Sequence, residues 1–442
     1  MNRYRSVFFI VCAILVGGCV HTARVPVAGA RAPIVVSNSA ADRSEITPAT
    51  LPVTGLLWKD LLLPPSLQEV PPVNIAVVPV CDIAQSIKDA RTLLEPVPVA
   101  LGKRVFRYTE RRNNAVKTYR DPEKTIALAF MDTTTCALQV TTITKRGQQL
   151  ISPTGFAIEA VRRSNGIQWN NWATEFRVTA PANQAVVLLK YPYDAKTSSF
   201  PLYYTPHSSE LHLPELVESG SSYLAQLARS AVADLHERRV GSLVKEGAMV
   251  GDEAELPIEF ITRLVPIEHM DLAEFLLDPA WTTERIYTII GTNGDRFATY
   301  TCSPASACGP MQFTKGTYAF MRELFPAANL IKNFEAGARD PRNAMKAAFL
   351  LHNYNASQLV KAFGREILKD PHLEEYLAAA YNTGIGRVIA VVTLAKQRGI
   401  SDWAEARDVR KNSKLLAETK GYIAKLRFVR DQWQQQLAVM PQ

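Results

Sequence analysis

The hydrophobic period of this chain changes once, and that change limits what it can fold into. Before Ser219-Gly220-Ser221-Ser222 the apolar residues alternate or run in short blocks, as strands do. Val73 to Val80 and Ala185 to Tyr191 are such blocks, and Thr125 to Lys145 is rich in Thr, Val and Ile. Asn113-Asn114 sits between Val105–Tyr108 and Val116–Tyr119, the pattern of a hairpin turn. Ser164-Asn165-Gly166 sits in the same way between Phe156–Arg162 and Ile167–Trp172. Beyond that point the period is helical: Leu224, Leu227, Ala228, Ala231, Leu235 and Val240 form one apolar side. Gly247 and Gly251 loosen the chain, and helix patterns then run to the end, punctuated by Pro257, Pro266, Pro279, Pro304, Pro310, Pro326, Pro341 and Pro371. The expectation is an α+β protein. A β-rich domain spans 73–214, a helical connection 215–250, and a helix-dominated domain 251–442. Lys411 to Gln436 reads as a charged amphipathic helix packed at the end of that domain.

A length of 442 residues fits two to three domains, and 47% apolar against 21% charged residues supplies a core. The formal charge of +8 suits plain solubility, and also attraction to an anionic polymer or surface such as a cell wall or lipid headgroups. No Lys/Arg block lies inside a nucleic-acid motif, so no nucleic-acid partner is expected. Arg104, Arg107, Arg111, Arg112, Lys117 and Arg120 make the first hairpin basic. That face either meets water or touches wall, lipid or a partner protein.

Residues 1–19 read as a leader. Arg3 and Arg5 precede the apolar run Val7–Val16, which ends in Leu15-Val16-Gly17-Gly18-Cys19. The ending resembles a bacterial lipobox. The resemblance implies cleavage before Cys19, lipidation of its thiol, and, with Val20 next, an outer-membrane lipoprotein facing the periplasm. Residues 20–72 are rich in Ala, Pro, Val, Ser and Thr and read as a flexible tether. Of the six cysteines Cys12 leaves with the leader and Cys19 carries lipid, so four remain: Cys81, Cys136, Cys302 and Cys308. An even number in an exported chain suggests two disulfides. Three pairings are possible, and the local one, Cys81–Cys136 with Cys302–Cys308, is favoured. No ligand spacing for zinc exists among them, the histidines are scattered, and nothing calls for a metal or other cofactor.

Two stretches carry chemistry. Ser303-Pro304-Ala305-Ser306-Ala307-Cys308-Gly309-Pro310-Met311-Gln312-Phe313 packs small residues into a turn before a helix. Ala379-Ala380-Tyr381-Asn382-Thr383-Gly384-Ile385-Gly386-Arg387-Val388 follows about seventy residues later. In this order and separation they resemble the soluble lytic transglycosylase (SLT) family of the lysozyme superfamily, over about residues 255 to 395. The resemblance implies a lysozyme-like fold and cleavage of the MurNAc–GlcNAc bond of peptidoglycan. In that family one glutamate serves as acid and then as base, leaving 1,6-anhydro ends. It further implies substrate-binding roles for Ser303, Met311, Gln312, Tyr381 and Asn382. Asp340, ahead of a helix between the motifs, reads as its N-terminal cap.

The family places its glutamate fifteen residues before the glycine of the turn. That count from Gly309 falls on Gly294, which has no side chain; Ser306 and Pro310 also depart from the pattern. Asp295, Glu284 and Glu268 remain as acids. Asp295 is rotated by about 100° from the family position, and Glu284 lies about 15 Å away along a helix. Glu268 ends the apolar run Phe260–Ile267, which itself resembles the family's catalytic helix, and is the favoured acid. About 26 residues, 272–297, would then be inserted between acid and turn. The competing expectation is a non-catalytic peptidoglycan-binding component of an envelope secretion or conjugation assembly.

Overall fold

The computed structural model describes residues 81–112, 115–147, 149–161, 175–195, 198–252, 257–299, 301–303, 306–407 and 414–433. The leader with Cys19, the tether, the Val73–Val80 run and both Asn-containing turn tips lie outside the described residues. The rest is a β-rich region followed by a helical one.

The first helix, α1 (Ile83–Leu94), is capped by Asp82, whose side chain accepts from the Gln85 amide. Eight strands follow: β1 (Ala100–Arg112), β2 (Ala115–Asp132), β3 (Leu138–Arg146), β4 (Gln149–Ile151), β5 (Ala157–Val161), β6 (Glu175–Ala180), β7 (Gln184–Ala195) and β8 (Ser198–Tyr204). The larger sheet runs β4-β3-β2-β7-β8, with β1 pairing β2 as a hairpin; every pairing is antiparallel. β5 pairs with β6 as a separate ribbon, so the described partner of β5 is Glu175–Ala180 and not the 167–172 stretch, which lies outside the described residues.

β2 explains why this sheet can be buried on both faces. Side chains alternate along a strand. Ile126, Leu128 and Phe130 pack with Ile143, Ile158 and Phe176 on one face. Ala127, Ala129 and Met131 pack on the other, with Ile83, Ala90 and Leu94 of α1. The Cys81–Cys136 disulfide pins the start of α1 to the turn after β2. Cys302–Cys308 is also formed, so the local pairing is the one present.

Among the described residues ten helices make up the second region: α2 (Pro214–Glu237), α3 (Ile258–His269), α4 (Leu272–Leu277), α5 (Pro279–Asn293), α6 (Lys315–Leu324), α7 (Phe334–Arg339), α8 (Pro341–Phe363), α9 (Leu373–Thr383), α10 (Ile385–Arg398) and α11 (Ala417–Phe428). α2 starts at Pro214, earlier than the Ser219–Ser222 cluster, because proline suits the first helical turn. Its Leu224, Ala228, Ala231 and Leu235 enter the helical core. A Cβ on Gly220 would lie 2.0 Å from the Tyr287 carbonyl oxygen, and one on Gly291 2.3 Å from that of Leu216. Glycine at both places lets α2 and α5 touch backbone to backbone. α8 is buried over most of its length and is the central strut. Asp340 caps it, accepting from the Asn343 amide at 2.7 Å. Pro266 does not end a helix; it sits inside α3, and the carbonyl it leaves without a helical donor belongs to partly exposed Thr262. No described helix is long and apolar enough to cross a membrane.

Candidate functional site

α3 is held in the core by Phe260, Ile261, Leu264, Val265 and Ile267, and its last turn carries Glu268 and His269 side by side. His269 is buried, and burial pushes its imidazole down to about 4, so the ring is neutral at ordinary pH. Its Nε2–H donates to the Pro310 carbonyl at 2.8 Å, and Phe297 packs edge-on against the ring at 4.8 Å. This bond fastens the end of α3 to the 303–313 turn.

The turn is closed on itself. The Cys308 amide donates to the Phe313 carbonyl and the Phe313 amide to Cys308, at 2.9 and 3.1 Å. Gly309 has φ +77°, and a Cβ there would lie 1.7 Å from the Ala338 carbonyl oxygen, so only glycine fits. The Gln312 side-chain amide donates to the Gly309 carbonyl at 2.7 Å. Ser303 also works inward: its Oγ accepts from the Ala307 amide at 3.2 Å, and among the described residues no hydrogen bond joins it to Glu268. Met311 is fully buried, and its carbonyl accepts the Tyr381 hydroxyl from the end of α9. The Tyr381 ring lies flat on His352, 5.3 Å away, and edge-on to Phe313 at 5.8 Å. The two sequence motifs therefore meet.

Glu268 faces this junction. Its Oε1 accepts the Tyr422 hydroxyl at 2.7 Å, and Tyr381 and Lys425 act on it electrostatically. Burial raises its carboxyl to about 7, against the opposing pull of the Tyr422 hydrogen bond and the Lys425 charge. Part of the residue surface remains open. Burial also pushes both phenols well above their ordinary range, so they stay neutral. Asn382 is held next door, its Oδ1 accepting from the Thr419 hydroxyl at 2.8 Å.

The other acids are engaged elsewhere. Glu284 Oε2 meets His212 Nε2 at 2.7 Å, and Asp295 accepts from the Tyr223 hydroxyl at 2.7 Å. Gly294 closes α5 with φ +51°. The stretch between acid and turn is α4, α5 and a short 3-10 turn. A small apolar hollow behind the turn is lined by Tyr223, Val265, Gly294, Phe297, Met311 and Met345; Glu268 does not line it.

Sequence reasoning missed α11 as a part of the site. Thr419, Tyr422 and Lys425 are spaced three apart and share one helix face. That face meets Asn382, Glu268 and the end of α3 in turn. A phenol and a lysine among the apolar positions of a terminal helix were the available signal. The assembled group is a half-buried carboxyl poised near neutral pH, flanked by neutral phenols, and such a carboxyl can give and take one proton. No family model, curated protein or solved structure matches this chain.

Proposed function

We propose that the chain is a lytic transglycosylase-like enzyme of peptidoglycan, with a lysozyme-like helical domain and Glu268 as its acid and base. The observation that carries the reading is the junction itself: Glu268, bonded by Tyr422 and with its carboxyl pushed up to about 7 by burial, lies beside Tyr381, whose hydroxyl is fixed to the Met311–Gln312 turn. Glu268 in its acid form gives its proton to the glycosidic oxygen of a MurNAc–GlcNAc bond. The C1–O bond breaks and positive charge develops at C1. The Glu268 carboxylate then takes the proton of the C6 hydroxyl, whose oxygen closes on C1 as a 1,6-anhydro ring. The acid is regenerated, and no water enters the products. Gln312, Tyr381 and Asn382, each partly open, flank this step, while Met311, fully buried, and Ser303, bonded to the Ala307 amide, support the turn from within. Lipidation at Cys19 would hold the enzyme on the outer membrane, facing the periplasmic wall.

The test is release of anhydro-muropeptides from sacculi by the full chain in detergent. Glu268→Gln keeps the shape and removes the titrating group, and is expected to slow release by about 10²–10⁴-fold. A variant that cuts as fast as the parent would sink the assignment. The second reading, a glycan-binding part of a secretion or conjugation assembly, is favoured by Gly294 standing where the SLT pattern has its acid. It predicts that the parent pellets with sacculi and releases nothing.

A further inference from the structure

Lys425 is 8% exposed, and its ammonium is spent on backbone. Nζ donates to the carbonyls of Met270 at 2.5 Å and Ile267 at 3.4 Å. Ile267 lies in the last turn of α3 and Met270 caps it, at an end where carbonyls lack a helical donor and a cation is favoured. Glu268 sits in that same turn. Burial lowers the proton affinity of Lys425, the charges of Glu268, Asp271 and Glu418 oppose that, and among the described residues Lys425 makes no ion pair. Its hydrogen bonds therefore hold it at a fixed stand-off from Glu268.

We propose that Lys425 is a positioning residue of this site: its ammonium, fastened to the final turn of α3, fixes the pH at which Glu268 exchanges its proton. The proposal rests on Glu268 being the acid and base of the reaction above. A direct pair would clamp the carboxylate in its charged form and destroy an acid. Without any cation, burial alone would hold the proton too tightly for the base step. A lysine anchored on carbonyls lies between these limits. The other groups facing Glu268 do not duplicate it. His269 is neutral, Tyr381 and Tyr422 are neutral phenols, and Asp271 and Glu418 carry the opposite sign.

The experiment titrates the Glu268 carboxyl by carbon-13 NMR in the full chain in detergent, assigned by its loss in Glu268→Gln. The pH profile of anhydro-muropeptide release is measured alongside. Lys425→Met is expected to move the Glu268 midpoint up by about one unit, since an opposite charge is removed. The alkaline limb of the rate profile should move with it, leaving release about fivefold higher one unit above the parent's midpoint. Lys425→Arg should keep the parent midpoint. Lys425→Gln retains a donor for the carbonyls without the charge, and should titrate like Lys425→Met; it serves as the readout if the methionine variant does not fold. An unshifted midpoint in the uncharged variants overturns the proposal. A parent that releases nothing at any pH, with a midpoint that still moves, overturns the enzymatic reading alone. A uniform drop in rate with an unmoved profile assigns Lys425 a structural role and also overturns the proposal.

Discussion

Glu268 and Glu375 are glutamates of the same helical region, both reached by α11, and they are held in opposite states. Glu375 is 2% exposed. Burial raises its proton affinity, but the Arg427 and Trp403 hydrogen bonds and the charges of Arg427 and His372 together outweigh it, and the carboxyl falls to about 2. Arg427 grips it with two bonds, Nε to Oε1 at 3.0 Å and Nη2 to Oε2 at 2.8 Å, and Trp403 Nε1 donates at 3.0 Å. Glu268 receives one phenol and a lysine that is bonded to backbone instead. Burial alone therefore does not decide what a carboxylate is for. A bidentate guanidinium makes it a rivet, and a stand-off cation leaves it able to exchange a proton.

The sharpest way to break this comparison is to remove the rivet. Arg427→Met leaves Glu375 buried with its best partner gone. The expected loss is about 2–3 kcal/mol in urea unfolding, below the cost for a fully buried pair, because Arg427 itself keeps 37% of its side-chain surface in water. A loss under about 0.5 kcal/mol would mean that Arg430, Trp403 and His372 hold Glu375 without it.

Next in size is the pH dependence of stability, where the two residues have opposite signs. Glu375 has a folded value of about 2, below its ordinary 4.5. Its contribution is present above pH 4.5 and is lost as pH falls towards 2. Glu268 has a folded value of about 7, above its ordinary 4.5. Between those values the folded state binds the extra proton, so stability falls as pH rises from 4.5 to 7. Each swing is on the order of 3 kcal/mol. Glu268→Gln should abolish the second swing and leave the first, making the variant the more stable protein at pH 8. Urea midpoints across pH 3 to 8 for parent and variant check this. A variant that follows the parent from pH 4.5 to 8 contradicts the raised titration of Glu268.

The legible part of this arrangement was local. The change of hydrophobic period separates strands from helices because alternation and the helical repeat are written residue by residue. Asp340 announced its cap, and four cysteines announced their nearest partners. The 303–313 and 379–388 stretches, singled out for their pattern, do meet through the Tyr381 hydroxyl and the Met311 carbonyl, and α4 and α5 lie between Glu268 and the turn. What could not be read was long-range. Tyr422 lies 154 residues from Glu268 in sequence, and no periodicity connects them. Nor did the pattern say that Glu375 would be clamped while Glu268 would not, since both are glutamates within apolar helical patterns. The β5 partner was displaced for a simpler reason. Turn-forming residues mark where a chain can bend, and pairing decides which segment lies opposite.

The smallest effects come from one uncharged donor on each carboxylate, the Trp403 indole and the Tyr422 phenol, and they separate the two sites most finely. Trp403→Phe removes a hydrogen bond to a charged acceptor, worth about 1.5–3 kcal/mol. Tyr422→Phe removes one from Glu268, and at pH 5.5 that acceptor is a neutral carboxyl, so the cost should be about 0.5–1.5 kcal/mol. At pH 8.5 Glu268 is ionised, and Tyr422 then donates to a charge. The cost of Tyr422→Phe should rise towards that of Trp403→Phe, while the cost of Trp403→Phe should be the same at both pH values, because Glu375 stays ionised throughout. Urea unfolding of both variants at pH 5.5 and 8.5 gives the four numbers needed. A Tyr422→Phe cost that does not change between them would mean that Glu268 holds one protonation state across this range, and the contrast with Glu375 would then be one of packing rather than of charge.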